Sequence, residues 1–220
     1  MKTLTSLACL FASLLVIAAP ANAQKKGKVG VFDFYLLNLS WSPEFCAIEA
    51  TSPECKAKPG FIVHGLWPQN NNGSYPVSCS NAPGPKNYSQ YLDISPDLTL
   101  LEHEWPKHGT CTGLGPDAFF QLERTDFHAF KVPAAFKNTK AVTMTPAAIQ
   151  QQLQQANPTF PAGSILVSCS NKELTAVEAC LAKDGVTPTV CKGLSECAEP
   201  SITILPQGST SAVNKKPVKR

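Results

Sequence analysis

The chain has 220 residues, 19 basic and 16 acidic, for a formal charge of +3, which excludes a protein that grips nucleic acid through a global positive field. Its 43% hydrophobic content and length are enough for one well-cored domain and exclude a disordered polyelectrolyte. Nine cysteines argue for an oxidising compartment rather than the cytosol.

The N-terminus agrees with that compartment. Lys2 is a minimal positive region, Leu10 to Ala19 is an apolar run, and Ala21-Asn22-Ala23 is an A-x-A cleavage site. Residues 1–23 read as a secretory signal peptide, too short for a convincing membrane span. No later apolar run is long enough to cross a bilayer, so the expectation is a secreted or periplasmic protein with no membrane partner. Removing those 23 residues takes Lys2 and Cys9 with them and leaves 197 residues, a charge of +2 and eight cysteines. Those eight are Cys46, Cys55, Cys79, Cys111, Cys169, Cys180, Cys191 and Cys197. An even number in this setting implies four disulfides, whose connectivity spacing alone does not resolve. No C-x-x-C pair suggests zinc or redox chemistry.

The predicted elements follow in order. Lys25 to Lys28 is a loose basic lead-in. Val29 to Trp41 reads as a strand with Phe32, Phe34 and Leu36 alternating, ended by Pro43, and Cys46 and Cys55 bracket a polar loop. Phe61-Ile62-Val63-His64-Gly65-Leu66-Trp67-Pro68-Gln69 starts as an apolar strand with a histidine inside it. A buried structural histidine is the usual reason for such a residue. Gly65 and Pro68 instead suggest a strand end opening toward a site, and Trp67 could be core or a platform on which any base can stack.

Asn70 to Gln90 is loop by composition. Asn38, Asn72 and Asn87 each begin an N-x-[ST] glycosylation pattern, although Asn38 lies in a predicted strand. Ser95-Pro96 offers an N-cap and first helical position. The next segment is the most chemically loaded: Leu101-Glu102-His103-Glu104-Trp105-Pro106-Lys107-His108-Gly109-Thr110-Cys111 holds two of the chain's four histidines. At about 100° per residue, with His103 at zero, Lys107 lies near 40°, Glu104 near 100° and His108 near 140°. Trp105 and Pro106 fall on the other side. Pro106 predicts a helix that starts near Glu104 or kinks there.

The bland reading of this face is a solvated helix with an ordinary Glu104–Lys107 pair. Zinc is disfavoured by geometry: H-E-x-x-H brings its histidines nearly into line, whereas H-E-x-x-x-H splays them by about 140°. A third reading joins this segment to the one that carries His64. Two imidazoles from the histidine-bearing segments, His64 and His103/His108, with a lysine can cleave RNA through its own 2′-hydroxyl. One imidazole takes the 2′-OH proton, the other protonates the leaving 5′-oxygen, and the cation holds the phosphoryl oxygens. That chemistry needs no metal or cofactor, and DNA lacks the nucleophile.

Further along, Asp117 to Phe130 reads as an amphipathic helix with Phe119, Leu122, Phe127 and Phe130 apolar, and His128 on it reads as structural or surface. Thr145-Pro146 opens another helix carrying Ile149 and Leu153. Ile165 to Cys169, Glu173 to Cys180 and Ser201 to Leu205 read as strands. Residues 206–220 form a polar, basic tail expected to be disordered. No internal repeat or second domain is evident, so 24–205 is expected to be one domain.

The segments 61–68 and 103–111 resemble the two active-site motifs of the ribonuclease T2 family, secreted transferase-type ribonucleases of broad base specificity. The resemblance runs from Phe34-Tyr35-Leu36 and Leu39-Ser40-Trp41 through Cys197. It implies an α+β fold, a central antiparallel β-sheet flanked by helices in a disulfide-stapled single domain. By resemblance His108 is the general base and His64 the general acid, with Glu104 and Lys107 stabilising the pentacovalent state. His103 would bind phosphate and Trp67 would stack on the base. Also implied are the pairs Cys79–Cys111, Cys169–Cys197 and Cys180–Cys191, leaving Cys46–Cys55. RNA is the implied partner, cleaved through a 2′,3′-cyclic phosphate to 3′-phosphate ends, and nothing demands more than a monomer. Two features depart from the pattern and bear on base preference. The segment from Cys79 to Cys111 is short, and Gln69 stands where some members carry an acidic residue.

Overall fold

A computed structural model describes residues 26–57 and 59–209; the expected signal peptide and residues 210–220 of the expected tail lie outside them. The chain forms strand β1 (Phe34–Trp41), short helices α1 (Ser42–Cys46) and α2 (Pro53–Lys56), β2 (Phe61–Gln69), α3 (Leu98–Lys107), α4 (Pro116–Ala129), β3 (Val142–Met144), α5 (Pro146–Ala156), β4 (Ile165–Ser170), β5 (Glu173–Ala182) and β6 (Ile202–Ile204). This is an α+β fold. The strands make one sheet in the order β2-β1-β5-β6-β3, with β4 also paired to β5. Pairing is antiparallel except for a single parallel pair, Glu173 with Thr203, between β5 and β6.

β1 is the inner strand on which this end of the sheet is built, and all eight of its residues are buried. Its two faces serve different cores. Tyr35, Leu37, Leu39 and Trp41 join the main core with Leu101 and Trp105 of α3, Phe119 and Phe120 of α4, and Ile149 and Leu153 of α5. Phe34 and Leu36 instead pack with Cys180 and the partly buried Trp67 in a smaller cluster. The predicted Phe32/Phe34/Leu36 alternation is therefore not one face of one strand. Phe32 precedes the strand and joins the main core, while the other two belong to the smaller cluster.

Other boundaries differ for local reasons. Pro43 does not simply end β1; it takes a first-turn position in α1, where its missing N–H costs nothing. The first cap of α3 is Asp97, whose carboxylate accepts from Thr99 N at 2.9 Å, not Ser95. Pro106 lies inside the last turn of α3 and does not start the helix. The bond it forfeits is to the carbonyl of exposed Glu102, which water can satisfy. Thr145 caps α5 as its position suggested.

α4 is rotated relative to its apolar pattern. Phe119, Phe120, Glu123 and Asp126 face inward, while Leu122 and Phe127 are only partly buried. The expected tail begins with an ordered turn, Ser209 N donating to Pro206 O at 3.1 Å. Disulfides join Cys46 to Cys55, Cys79 to Cys111, Cys169 to Cys197 and Cys180 to Cys191. Among the described residues no helix is long and apolar enough to cross a membrane.

Leu153, fully buried between α5 and the sheet, tests the main core away from the histidines. Leu153→Ala should lower unfolding free energy by about 2–5 kcal/mol, the cost of lost transfer energy plus a cavity. Chemical denaturation checks this, and a loss below about 1 kcal/mol would contradict the packing described.

Candidate active site

The site is assembled where α3 crosses β2. Its first determinant is an irregularity in the strand. From Phe34–Gln69 to Asn38–Gly65 the β1–β2 register is regular, and it then resumes at Leu39–Val63. His64 is the extra residue of this β-bulge. Bulges re-aim a side chain without ending the strand, so β2 runs through Gly65 and Pro68 to Gln69 rather than stopping there.

The second determinant is the seating of α3. Glu104 is 2% exposed. Its Oε2 accepts from the Trp67 indole Nε1 at 2.7 Å, and its Oε1 lies 3.6 Å from His64 Nε2. Only a glycine fits beneath it. A Cβ on Gly65 would stand 2.2 Å from Glu104 Oε2 and 2.4 Å from Trp67 Nε1. The other nitrogen of His64, Nδ1, is 3.1 Å from the Ser40 hydroxyl of β1. His64 is thus held from both ends, by a hydroxyl and by a carboxylate.

Trp67 contacts both imidazoles. His64 meets it edge-on at 5.2 Å between ring centroids, and His108 stacks on it at 5.3 Å with 30° between planes. The exposed ring of Tyr75, in the loop after β2, lies 6.2 Å from His108.

The angular order read from the sequence becomes an order of burial. His103 is exposed, Lys107 half-buried, and Glu104 and His108 buried. The face is therefore split: one edge meets solvent and the other packs on β2. This departs from a solvated helix, and the electrostatics follow. Burial raises Glu104 to about 7, against the lowering effects of the Trp67 hydrogen bond and Lys107. His108 is pushed down to about 3, first by burial and then by the positive charges of Lys107, His103 and His64. Its Nδ1 is buried without a hydrogen-bond partner among the described residues. A neutral imidazole is the form that such surroundings permit. Burial and Lys107 also lower His103.

His128 is elsewhere, 62% exposed and 4.0 Å from Asp93. Among the described residues no three His, Cys, Asp or Glu side chains converge as a metal site. Gln69 is buried at the end of β2.

Three contributors escaped the sequence reading: Ser40, Tyr75 and Glu123. Glu123 of α4 is buried, and its Oε1 accepts from Leu66 N at 3.0 Å. β2 is the edge of the sheet, so its outward amides need covering. Val63 N donates to Ile94 O at 2.9 Å and Leu66 N to Glu123. A carboxylate on the apolar side of a helix was the available signal, legible only once that helix is known to cover a strand edge.

Glu123 is raised well above 4.5, mainly by burial and next by Glu104. Its folded form therefore holds a proton that the unfolded chain releases as pH passes 4.5, so stability it confers is present in acid and falls as pH rises. Glu123→Gln, which keeps an acceptor and cannot ionise, should gain in Tm relative to the parent between about pH 5 and pH 8. Parallel melts across that range check this; a constant Tm difference would refute the buried, protonated state.

With the geometry in hand, comparison places the chain among known proteins. The sequence model described as the ribonuclease T2 family matches residues 32–191. A ribonuclease of Aeromonas hydrophila is 44% identical over 115 residues, covering 51% of this chain and 53% of that protein. The chain thus spans about half the length of that relative. Ribonuclease DdI of Dictyostelium discoideum is 29% identical over 205 residues, covering 83% of this chain and 90% of its own. Among solved structures, ribonuclease MC1 from bitter gourd seeds aligns with TM-score 0.62 at 23% identity, over 78% of this chain and 99% of its own. An RNase-related protein from Calystegia sepium aligns at 0.63 and 20%, over 83% and 98%. At those identities the structural matches speak for the fold.

Proposed function

The chain belongs to the ribonuclease T2 family, and from that membership and the site geometry we propose that it is a secreted endoribonuclease cleaving single-stranded RNA by transesterification. The observation that supports the mechanism is the pair of imidazoles that both contact Trp67, one hydrogen-bonded to the Ser40 hydroxyl and 3.6 Å from the Glu104 carboxylate, the other buried with its proton affinity lowered.

His108 is the general base. It takes the 2′-OH proton, and the 2′-oxygen attacks phosphorus. As the bond to the 5′-oxygen breaks, His64 gives that oxygen a proton, leaving a 2′,3′-cyclic phosphate and a free 5′-OH. In the second step a water replaces the 2′-oxygen on phosphorus and the product ends in a 3′-phosphate. Lys107, with His103 on the same exposed edge, meets the charge that grows on the phosphoryl oxygens. Glu104 aligns His64 and the indole, and its elevated proton affinity suits exchange with the phosphoryl group.

One face of Trp67 is covered by His108, so base stacking falls to its remaining surface and to Tyr75, whose exposed ring adds a second platform. Such platforms accept any base, which supports low base specificity. The disulfides and the leader-like N-terminus support an extracytoplasmic location.

The decisive experiment incubates purified protein with homopolymeric RNA in excess EDTA and resolves products by mass. Cyclic 2′,3′-phosphate ends are expected, and His64→Ala or His108→Ala should lower turnover by at least about 100-fold while keeping the fold. Cleavage only after metal is restored would overturn the histidine roles, and no cleavage at all would mark a silent scaffold.

The pH profile gives an independent check. A base must start neutral, and His108 stays neutral down to about 3. The acid limb of kcat/KM assigned to it should therefore lie well below the ordinary histidine range, giving a bell displaced to acid pH. An acid limb near 6.5, the ordinary histidine value, would contradict the burial of this group.

A further inference from the structure

Beside the histidine cluster, on the solvent edge of α3, lies an open groove of about 440 Å3. Its lining comes from Lys26, from Val77 and Ser78, and from His103, Pro106 and Lys107 of α3. Two ammonium groups, an imidazole and a hydroxyl line it, with no carboxylate among them. Val77 and Pro106 add apolar surface.

The Lys26 wall is pinned rather than loose. Gly27 N donates to Val77 O at 2.9 Å and Gly30 N to Cys111 O at 2.8 Å, while Lys183 Nζ donates to Gly30 O at 2.7 Å. Gly27 is packed so closely that a Cβ there would lie 2.5 Å from Pro76 Cβ and 2.7 Å from Cys79 Sγ. The Cys79–Cys111 disulfide and the bond from Ser78 N to Lys107 O at 2.9 Å hold the segment below it against the end of α3. The backbone that carries Lys26 is thereby fixed relative to Lys107, and both cations line the groove. A loose basic lead-in does not describe it.

We propose that this groove is a phosphate subsite for the nucleotide flanking the scissile bond, with Lys26 as its cation. The proposal rests on the ribonuclease reading. His103 and Lys107 belong both to the groove and to the catalytic cluster, so a strand leaving the reacting phosphate on that side enters it directly. A chain of such low net charge has to hold RNA through a local set of cations, and this is one continuous with the site.

The test compares a dinucleoside monophosphate with RNA oligonucleotides lengthened by one or two nucleotides on the 5′ or the 3′ side, using the parent, Lys26→Ala, Lys26→Glu and Lys26→Arg. Lys26→Ala should raise KM for one lengthened series about three- to tenfold more than for the dinucleoside. Lys26→Glu should do so more strongly, and Lys26→Arg should restore most of the loss. For that series the dependence of log KM on log salt should also become shallower by about 0.7 in Lys26→Ala. The side on which length matters assigns the groove to the 5′ or 3′ flank. Equal effects of Lys26→Ala at every length, or an arginine variant no better than alanine, would overturn the subsite while cleavage by the parent upholds the ribonuclease reading. If the parent cleaves none of these RNAs, both fall together.

Discussion

A buried carboxylate is the constraint on which this site depends. Glu104 has left water almost completely, and a carboxylate in that position must find donors or keep a proton. It finds the Trp67 indole at 2.7 Å and faces His64 at 3.6 Å. Those contacts set the distance between α3 and β2, and with it the place of every other group on the helix. They also explain Gly65, since any larger residue would occupy the space of the carboxylate oxygen. Both protonation states of Glu104 are accessible near neutrality because burial is only partly offset by the donor and by Lys107. Groups with tuned proton affinity arise in this way, from a structural cost that is not fully compensated.

The same economy operates one layer down. Inserting His64 as a bulge aims the imidazole toward Glu104 but leaves β2 as an irregular edge strand. Its outward amides are buried, and α4 supplies Glu123 to one of them. Two carboxylates, on two helices, thus hold the strand segment that carries His64 and Trp67, one through side chains and the other through the backbone. Their mutual repulsion favours a proton on Glu123, the more deeply buried of the two.

This hierarchy determines what the sequence could reveal. His64, Glu104, Lys107 and His108 were legible because chemistry-bearing residues clustered at helical spacing and in a strand that should have been apolar. The strands Ile165–Ser170 and Glu173–Ala182 and the helix after Thr145 were legible for the usual reasons of period and capping. The rotation of α4 was not, because Leu122 and Phe127 satisfy an amphipathic pattern as well as the residues that are buried. Only the unmet amide of Leu66 turns Glu123 inward, and that demand comes from another element. Start positions failed similarly: Asp97 outcompetes Ser95 as a cap because its carboxylate reaches Thr99 N. The short helix at Ser42–Cys46 hides behind a proline that reads equally well as a stop or a first turn. Tyr75 sits in a loop, where no periodicity marks an aromatic as placed.

The division of the α3 face reconciles a nearly neutral protein with the polyanionic substrate proposed for it. Burial falls in the order His108 and Glu104, then Lys107, then His103, so the groups proposed to move protons lie in the poorly solvated part and the cation at the border. A positive charge at such a border does two things. It penalises protonation of His108, which keeps that imidazole neutral as the proposed base has to be, and it stands at the edge where the proposed substrate's phosphoryl oxygens would lie. A uniformly basic surface would do the second without the first. Placing few cations where the dielectric falls gives each one more electrostatic effect than it would have in water, so the low net charge follows from where the charges sit.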